Sequence, residues 1–437
     1  MPTREPLSRR LDLKAVKPTG GGTEFLSVAL TDDGDRDRLD GLDLCTLPLP
    51  DQMLTNAGLT VEDFLWRWRA GSSGLDAAAR EYGKLLYEHV LRQPGELADA
   101  WQRTLDLART EGRGIRLEIR CPAGNAHIWQ GLPLAALPFE LMCDSSGYLF
   151  RRPGWSTVRR VRGQASRALR LQQKVRQAPS VQVAWANVTL PDGTPRLDDE
   201  LFTVHEASLR ALGDQIDLLP SLSHTCFAEL RTALEQHKPH VLIWIGHGVE
   251  SGGGLLFHNA AATNYLEDFG IVASATDIAV AAHAGEVDVA LLWSCHGAGS
   301  DRLFDLGVAE ALLDPDRGDL VAVLASFSAL DAATVANLSR SFTEALGLGD
   351  GNLEAAIARA RGLLSEQQLT WARPILFLRT PLDGAGPMIF KPVLEAPDIA
   401  PTSAGSLRWT PALPAHTPDY VDHQHRLRQL EEDLVHR

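Results

Sequence analysis

The feature that most constrains this chain is a repeated alternation in its second half. Short apolar runs of strand length, VQVAWA (181–186), VLIWI (241–245), VALLW (289–293), LVAVLAS (320–326) and PILFL (374–378), are separated by longer segments with helical spacing. The spacing predicts helices over 199–213, 226–236, 303–313, 331–346 and 352–366; in the first of these Leu201, Val204, Leu209 and Leu212 share one face. Runs that are apolar throughout mark strands buried on both faces, and strands joined through helices run parallel. The expected architecture is therefore a mainly parallel sheet with helices on both sides. Such sheets carry their sites at the carboxyl ends of the strands.

Two of those ends carry reactive residue types. Strand 241–245 runs into Gly246-His247-Gly248, and strand 289–293 into Ser294-Cys295-His296-Gly297. Taken alone, a His between glycines reads as a turn without chemistry, and a lone Cys reads as core. Together they are more specific. If the two strands are neighbours, His247 and Cys295 meet at one edge of the sheet. A thiol of pKa ~8.5 is mostly protonated at neutral pH, and an adjacent imidazole takes its proton or stabilises the thiolate.

Composition excludes several other classes. With 437 residues, 44% apolar and 22% charged, the chain is long enough for two domains or one large α/β unit. A net charge of −14 gives no reason to expect nucleic acid as a partner. The five Cys are widely spaced with no CxxC, which argues against a disulfide framework or a zinc site and for a reducing compartment. His296 has no second Cys or His at ligand spacing, so no metal is expected. Neither G-x-x-x-x-G-K-[ST] nor G-x-S-x-G occurs, and no cofactor is expected. Residues 1–18 contain no apolar signal core, and no apolar run approaches ~18 residues, so neither export nor a membrane partner is expected and the cytoplasm is the default.

The first half is less regular. Residues 1–22 read as a loose leader, followed by a strand at TEFLSVAL (23–30), a helix at 75–92 and a strand at IRLEIRC (115–121). Residues 137–161 read as short strands and turns. From Arg159 to Pro191 there is no acid; Arg159, Arg160, Arg162, Arg167, Arg170, Lys174 and Arg176 make a basic run, read as a solvated connector. It separates an N-terminal α/β subdomain (23–163) from a second domain (178–392). Residues 393–437 are Pro-rich and end in a charged stretch read as the start of a helix. Trp66 and Trp68, in FLWRWR, are assigned to core packing rather than to a partner face.

The order strand-His247-Gly248, strand-Ser294-Cys295, then GVAEALLDPDRGDLVAVLASFSALD (307–331) resembles the CHAT family, caspase-like cysteine peptidases related to separase, caspases and legumain. The resemblance spans about 115–381 and includes LPFEL (137–141) ahead of a short hairpin, and WARPILFLRTP (371–381). It implies a caspase-like three-layer α/β sandwich at 178–392 and endopeptidase activity on a protein substrate, with His247 and the nucleophile Cys295 as a dyad. It also implies an oxyanion hole from the backbone amides of Gly248 and Cys295. Two departures, Trp-Ser-Cys at 293–295 where Ser-Ala-Cys is commoner and Phe327 in place of a Trp, bear on the shape of the substrate pocket.

Other residues remain open between readings. Asp331 either caps the helix that follows or places a carboxylate in the substrate pocket, where it would select Arg or Lys. Glu250 and Asp301 read as solvated loop charges. YVDHQHRLRQLEEDL (420–434) resembles the entry segment ahead of a nucleotide-binding domain in STAND-type signalling ATPases, which implies a C-terminal nucleotide-binding or sensor partner. The leading expectation is a cysteine endopeptidase acting as an effector in bacterial defence or cell-death signalling, the pathway resting on family analogy. The alternatives are a non-catalytic caspase-fold adaptor and a Cys enzyme of another kind, such as an acyl transferase.

Overall fold

The computed structural model describes residues 7–16, 25–32, 43–45, 51–92, 95–120, 127–128, 132–133, 137–160, 178–188, 199–249, 253–261, 270–294, 307–314, 316–326, 328, 330, 332–348, 351–364 and 369–379, the first three segments as backbone. Eleven strands form one sheet. In chain order they are β1 (Leu7–Val16), β2 (Phe25–Asp32), β3 (Asp43–Cys45), β4 (Ile115–Arg120), β5 (Ser156–Arg160) and β6 (Ser180–Trp185). They continue with β7 (Asp217–Leu218), β8 (Val241–Ile245), β9 (Val289–Trp293), β10 (Ala322–Ser326) and β11 (Pro374–Leu378). Across the sheet the order is β7-β6-β8-β9-β10-β11-β5-β4-β1-β2-β3.

From β7 through β10 every pairing is parallel; β11 runs antiparallel to β10 and parallel to β5 on its other side. The helices are α1 (Val61–Arg69), α2 (Asp76–Leu91), α3 (Glu96–Glu111), α4 (Asp199–Arg210), α5 (Phe227–His237), α6 (Ala275–Ala284), α7 (Val308–Leu313), α8 (Ala332–Leu348) and α9 (Leu353–Leu363).

Strand periodicity of two divides the second half into layers. Val181, Val183, Val241, Ile243, Ile245, Leu291 and Trp293 face a core shared with α4, α8 and α9. Ala184, Leu242, Trp244, Ala290 and Leu292 face the opposite core, shared with α5, α6 and α7. This is the expected three-layer α/β sandwich with a mainly parallel sheet. Each strand is apolar on both sides because each side meets helices.

Two expectations for the first half are corrected. Residues 1–22 are not a loose leader throughout: β1 pairs antiparallel with β2 and parallel with β4. Its Leu11-Asp12-Leu13-Lys14-Ala15 alternation is a strand signal hidden by four charges in ten residues. Nor does the basic run begin in solvent. Arg159 and Arg160 lie in β5 and are buried. Both Arg159 terminal nitrogens reach the Glu140 carboxylate, at 2.9 and 2.8 Å, and Arg160 Nη1 lies 2.6 Å from Glu118. The rest of the run, 161–177, lies outside the described residues.

The sheet is continuous from β3 to β7, so the N-terminal strands extend the same layer that carries β8 and β9. Behind them α2 rides directly on the turn at 139–141. A Cβ on Gly83 would stand 1.9 Å from the Leu141 carbonyl oxygen, so the contact needs a glycine.

Candidate active site

β8 and β9 are adjacent and parallel, with Ile245 opposite Trp293. Beyond that pair the ends stay joined: the Gly246 N–H donates to the Trp293 carbonyl at 3.4 Å. His247 follows Ile245 by two residues, and Cys295 follows Trp293 by two. The adjacency that makes the two motifs meaningful together is therefore present. Cys295, Asp331, Glu250, Asp301 and His296 lie outside the described residues.

Gly246 sets the direction in which His247 leaves the sheet. A Cβ there would meet the Trp244 ring at 2.9 Å and the Ala186 carbonyl oxygen at 3.1 Å. Only a bare α-carbon lets the chain pass this close to the end of β6. His247 itself is only 6% exposed. Its carbonyl accepts from the Leu256 N–H at 3.0 Å, which starts a small antiparallel sheet of 248–249, 254–257 and 271–274.

That hydrogen bond also fixes the direction of the Gly248 amide. With Leu256 bonded to His247, the opposed pair Gly248↔Leu255 is a non-hydrogen-bonded one. The Gly248 amide therefore points away from its neighbouring strand, toward the open edge of the small sheet. At the end of β9, Ser294 is buried, and its hydroxyl has no hydrogen-bond partner among the described residues. Below it Trp293 is held edge-on against Phe342 of α8, ring centres 5.7 Å apart.

A cavity of about 550 Å³ opens beside these strand ends, a feature the sequence reading did not anticipate. It lies where the chain reverses its direction across the sheet, β7 being added on one side of β6 and β8 on the other. Trp185, at the end of β6, is stacked on Phe202 of α4 at 3.7 Å and packs against His224 at 4.3 Å. His224 Nδ1 in turn lies 3.3 Å from His258 Nε2. Glu206 of α4 faces the cavity; Arg210 donates to its Oε1 at 2.6 Å and the Ser221 hydroxyl donates to the same oxygen at 2.8 Å. These donors, Arg210 foremost, hold the Glu206 carboxyl below the usual carboxylate range. The available signal was positional: VQVAWA ends at a sheet edge next to VLIWIGH, but the edge order becomes visible only once the strands pair.

Among the described residues there is no group of three or more His, Cys, Asp or Glu that would hold a metal ion, and no helix long and apolar enough to cross a membrane. Trp66 and Trp68 divide: Trp68 is buried in the N-terminal core, whereas Trp66 is 45% exposed under Arg69.

No protein-family model matches the chain, and no curated protein does. Among solved structures it is similar to the Arg specific cysteine proteinase gingipain R, 12% identical, covering 76% of this chain and 75% of that one at a TM-score of 0.41. It is similar to the complex of pro- and mature domains of RgpB from Porphyromonas gingivalis, 11% identical, covering 75% and 77% at 0.39. It is also similar to the separase–securin complex of Saccharomyces cerevisiae, 12% identical, covering 73% of this chain but 20% of that one at 0.35. Likenesses this distant leave the functional reading to the chain's own residues and topology.

Proposed function

We propose that the chain is a caspase-like cysteine endopeptidase of the CHAT type, with His247 as base and Cys295 as nucleophile. The observation that carries this reading is the register of β8 and β9. They are parallel neighbours paired at Ile245↔Trp293, and each reactive residue stands the same two positions beyond its strand. That register supports reading the two sequence motifs as parts of one site at the carboxyl edge of the sheet.

The proposed chemistry follows from that placement. His247 takes the Cys295 proton, and the thiolate sulfur attacks the carbonyl carbon of a peptide bond. Negative charge develops on the carbonyl oxygen, where the outward-pointing Gly248 amide and the Cys295 amide would donate to it. The imidazolium returns its proton to the departing amine. Water, deprotonated by the same imidazole, then releases the acyl group and restores the thiol. In this reading Asp331 lies near the residue before the cut and favours Arg there, through paired hydrogen bonds to a planar guanidinium. The substrate is a protein, and the pathway is one of defence or cell-death signalling by analogy with the family.

The test is selective thiol labelling. A thiol-reactive peptide probe is expected to modify Cys295 far faster than Cys45, Cys121, Cys143 or Cys226, and His247→Ala is expected to remove that difference. Equal labelling of all five thiols in the wild type would sink the reading.

A further inference from the structure

We propose that the cavity beside β6 binds an organic cation, a guanidinium or alkylammonium carried on an apolar stem. The cavity has the size and place of a ligand site: about 550 Å³, at the carboxyl ends of β6 and β8, where the strand order reverses. Its walls are fixed before any ligand arrives, because the rings of Phe202, Trp185, His224 and His258 pack in succession. A preformed wall lowers the ordering cost of binding.

The polar groups select the sign of the charge. Glu206 is ionised, and its Oε1 is fixed by Arg210 and Ser221. Its other oxygen, Oε2, accepts from none of the described residues. A carboxylate has about four acceptor positions, so Oε2 is available to a second donor. Among the described residues lining the cavity the Lys or Arg cation is Arg210, which is already directed at Glu206 and whose side chain is 67% exposed. An ion pair between helix neighbours with one partner this exposed is weak and yields readily to a competitor. The partly exposed rings of Trp185 and His224 supply the surface for an apolar stem, with Val183, Ile245 and Phe202 buried beneath them, and an aromatic wall favours a cation over an anion.

Two sources carry this chemistry, the basic side chain of a polypeptide and a free small amine, and the experiment separates them. Binding is measured by calorimetry in the Cys295→Ala chain, so that it does not depend on proteolysis and stands or falls apart from the peptidase reading. The first probes are butylguanidinium and its neutral isostere butylurea. Butylguanidinium is expected to bind saturably and at least tenfold more tightly than butylurea. Glu206→Gln should abolish the difference, and Glu235→Gln, a surface carboxylate outside the cavity, should leave it intact.

Arg210→Ala is the decisive variant, since an exposed helix position tolerates Ala. It removes the competing cation and should tighten butylguanidinium binding several-fold, whereas a site for anions would lose affinity. In the second arm, a short Arg peptide that displaces butylguanidinium, when its citrulline analogue does not, identifies a side chain as the source. Displacement by agmatine but not by the peptide identifies a free amine. Equal affinity for butylguanidinium and butylurea, no saturable binding, or weaker binding in Arg210→Ala would overturn the proposal.

Discussion

Gly246 carries more of the site than its size suggests. Replacing it with Ala sets a methyl group 2.9 Å from the Trp244 ring and 3.1 Å from the Ala186 carbonyl, both parts of a packed sheet end that cannot retreat freely. Gly246→Ala is expected to cost about 1–3 kcal/mol, as overpacking does elsewhere, and to displace His247 with the backbone. Denaturant unfolding measures the first effect and the rate of Cys295 labelling the second; a variant with unchanged stability and unchanged labelling would show that the close approach is not needed. Cys295→Ala and His247→Ala are each expected to abolish proteolysis, because nucleophile and base act as a unit, and His247→Ala, which empties a buried position, is also expected to lower the unfolding midpoint. At this scale the end of the buried strand just before Gly246-His247-Gly248 was legible in the sequence, because the apolar run stops there at a glycine. Glu206 was not legible: a helix-surface Glu with a basic residue four positions on is the commonest pattern a solvated helix shows, and nothing local marks the cavity it faces.

Among the elements, α4 has a feature that makes stability depend on pH. His205 lies on the same face as Phe202 and Leu209 and is buried, and neither ring nitrogen has a hydrogen-bond partner among the described residues. Burial alone pushes its pKa down from 6.5 to about 4. Between those two values the unfolded chain binds the proton and the folded chain does not, so protons favour unfolding. Stability should therefore fall as the pH drops from about 6.5 toward about 4, by up to ~3 kcal/mol from this residue, and no further below that window. Urea unfolding of wild type and His205→Leu at pH 7.5 and pH 5 measures it. The variant should show the smaller loss on acidification, and an equal loss in both would remove His205 from the account. The elements of the second half were legible because buried strands and amphipathic helices alternate there with few interruptions. In the first half α3 and β1 escaped notice: α3 has a long polar face around few apolar anchors, and β1 carries charges between its apolar residues. Their form is decided by what they pack or pair with, which a single sequence does not display.

For the whole molecule, the question is whether residues 178–392 fold without what precedes them, as their regular pattern suggests. The sheet argues that they do not. β11 is flanked by β10 on one side and β5 on the other, so removing the first 163 residues strips one edge of β11. A more severe cost lies behind the sheet. Glu354 of α9 is buried, receives the Arg116 guanidinium at 2.9 Å and accepts the Ser156 hydroxyl. Arg361, two turns further along the same face, lies 3.7 Å from Glu140 and donates to the Pro374 carbonyl at 2.7 Å. Burial raises the Glu354 pKa against the pull of Arg116 and lowers that of Arg361 to about 10, so both charges depend on partners from the N-terminal region. Taking away one side of a buried pair typically costs about 3–5 kcal/mol, and here two pairs go at once, against a total stability of roughly 5–15 kcal/mol for a domain. A fragment of 178–392 should therefore fail to show cooperative unfolding or near-ultraviolet circular dichroism, and co-expression with 1–163 as a separate chain should restore both. Within the full chain, Glu140→Gln should lower stability by about 3 kcal/mol or more, since it leaves Arg159 and Arg361 facing each other. A fragment that unfolds cooperatively at the midpoint of the 437-residue chain would mean that residues 178–392 are self-sufficient and that the ion pairs behind β5 and β11 only decorate them.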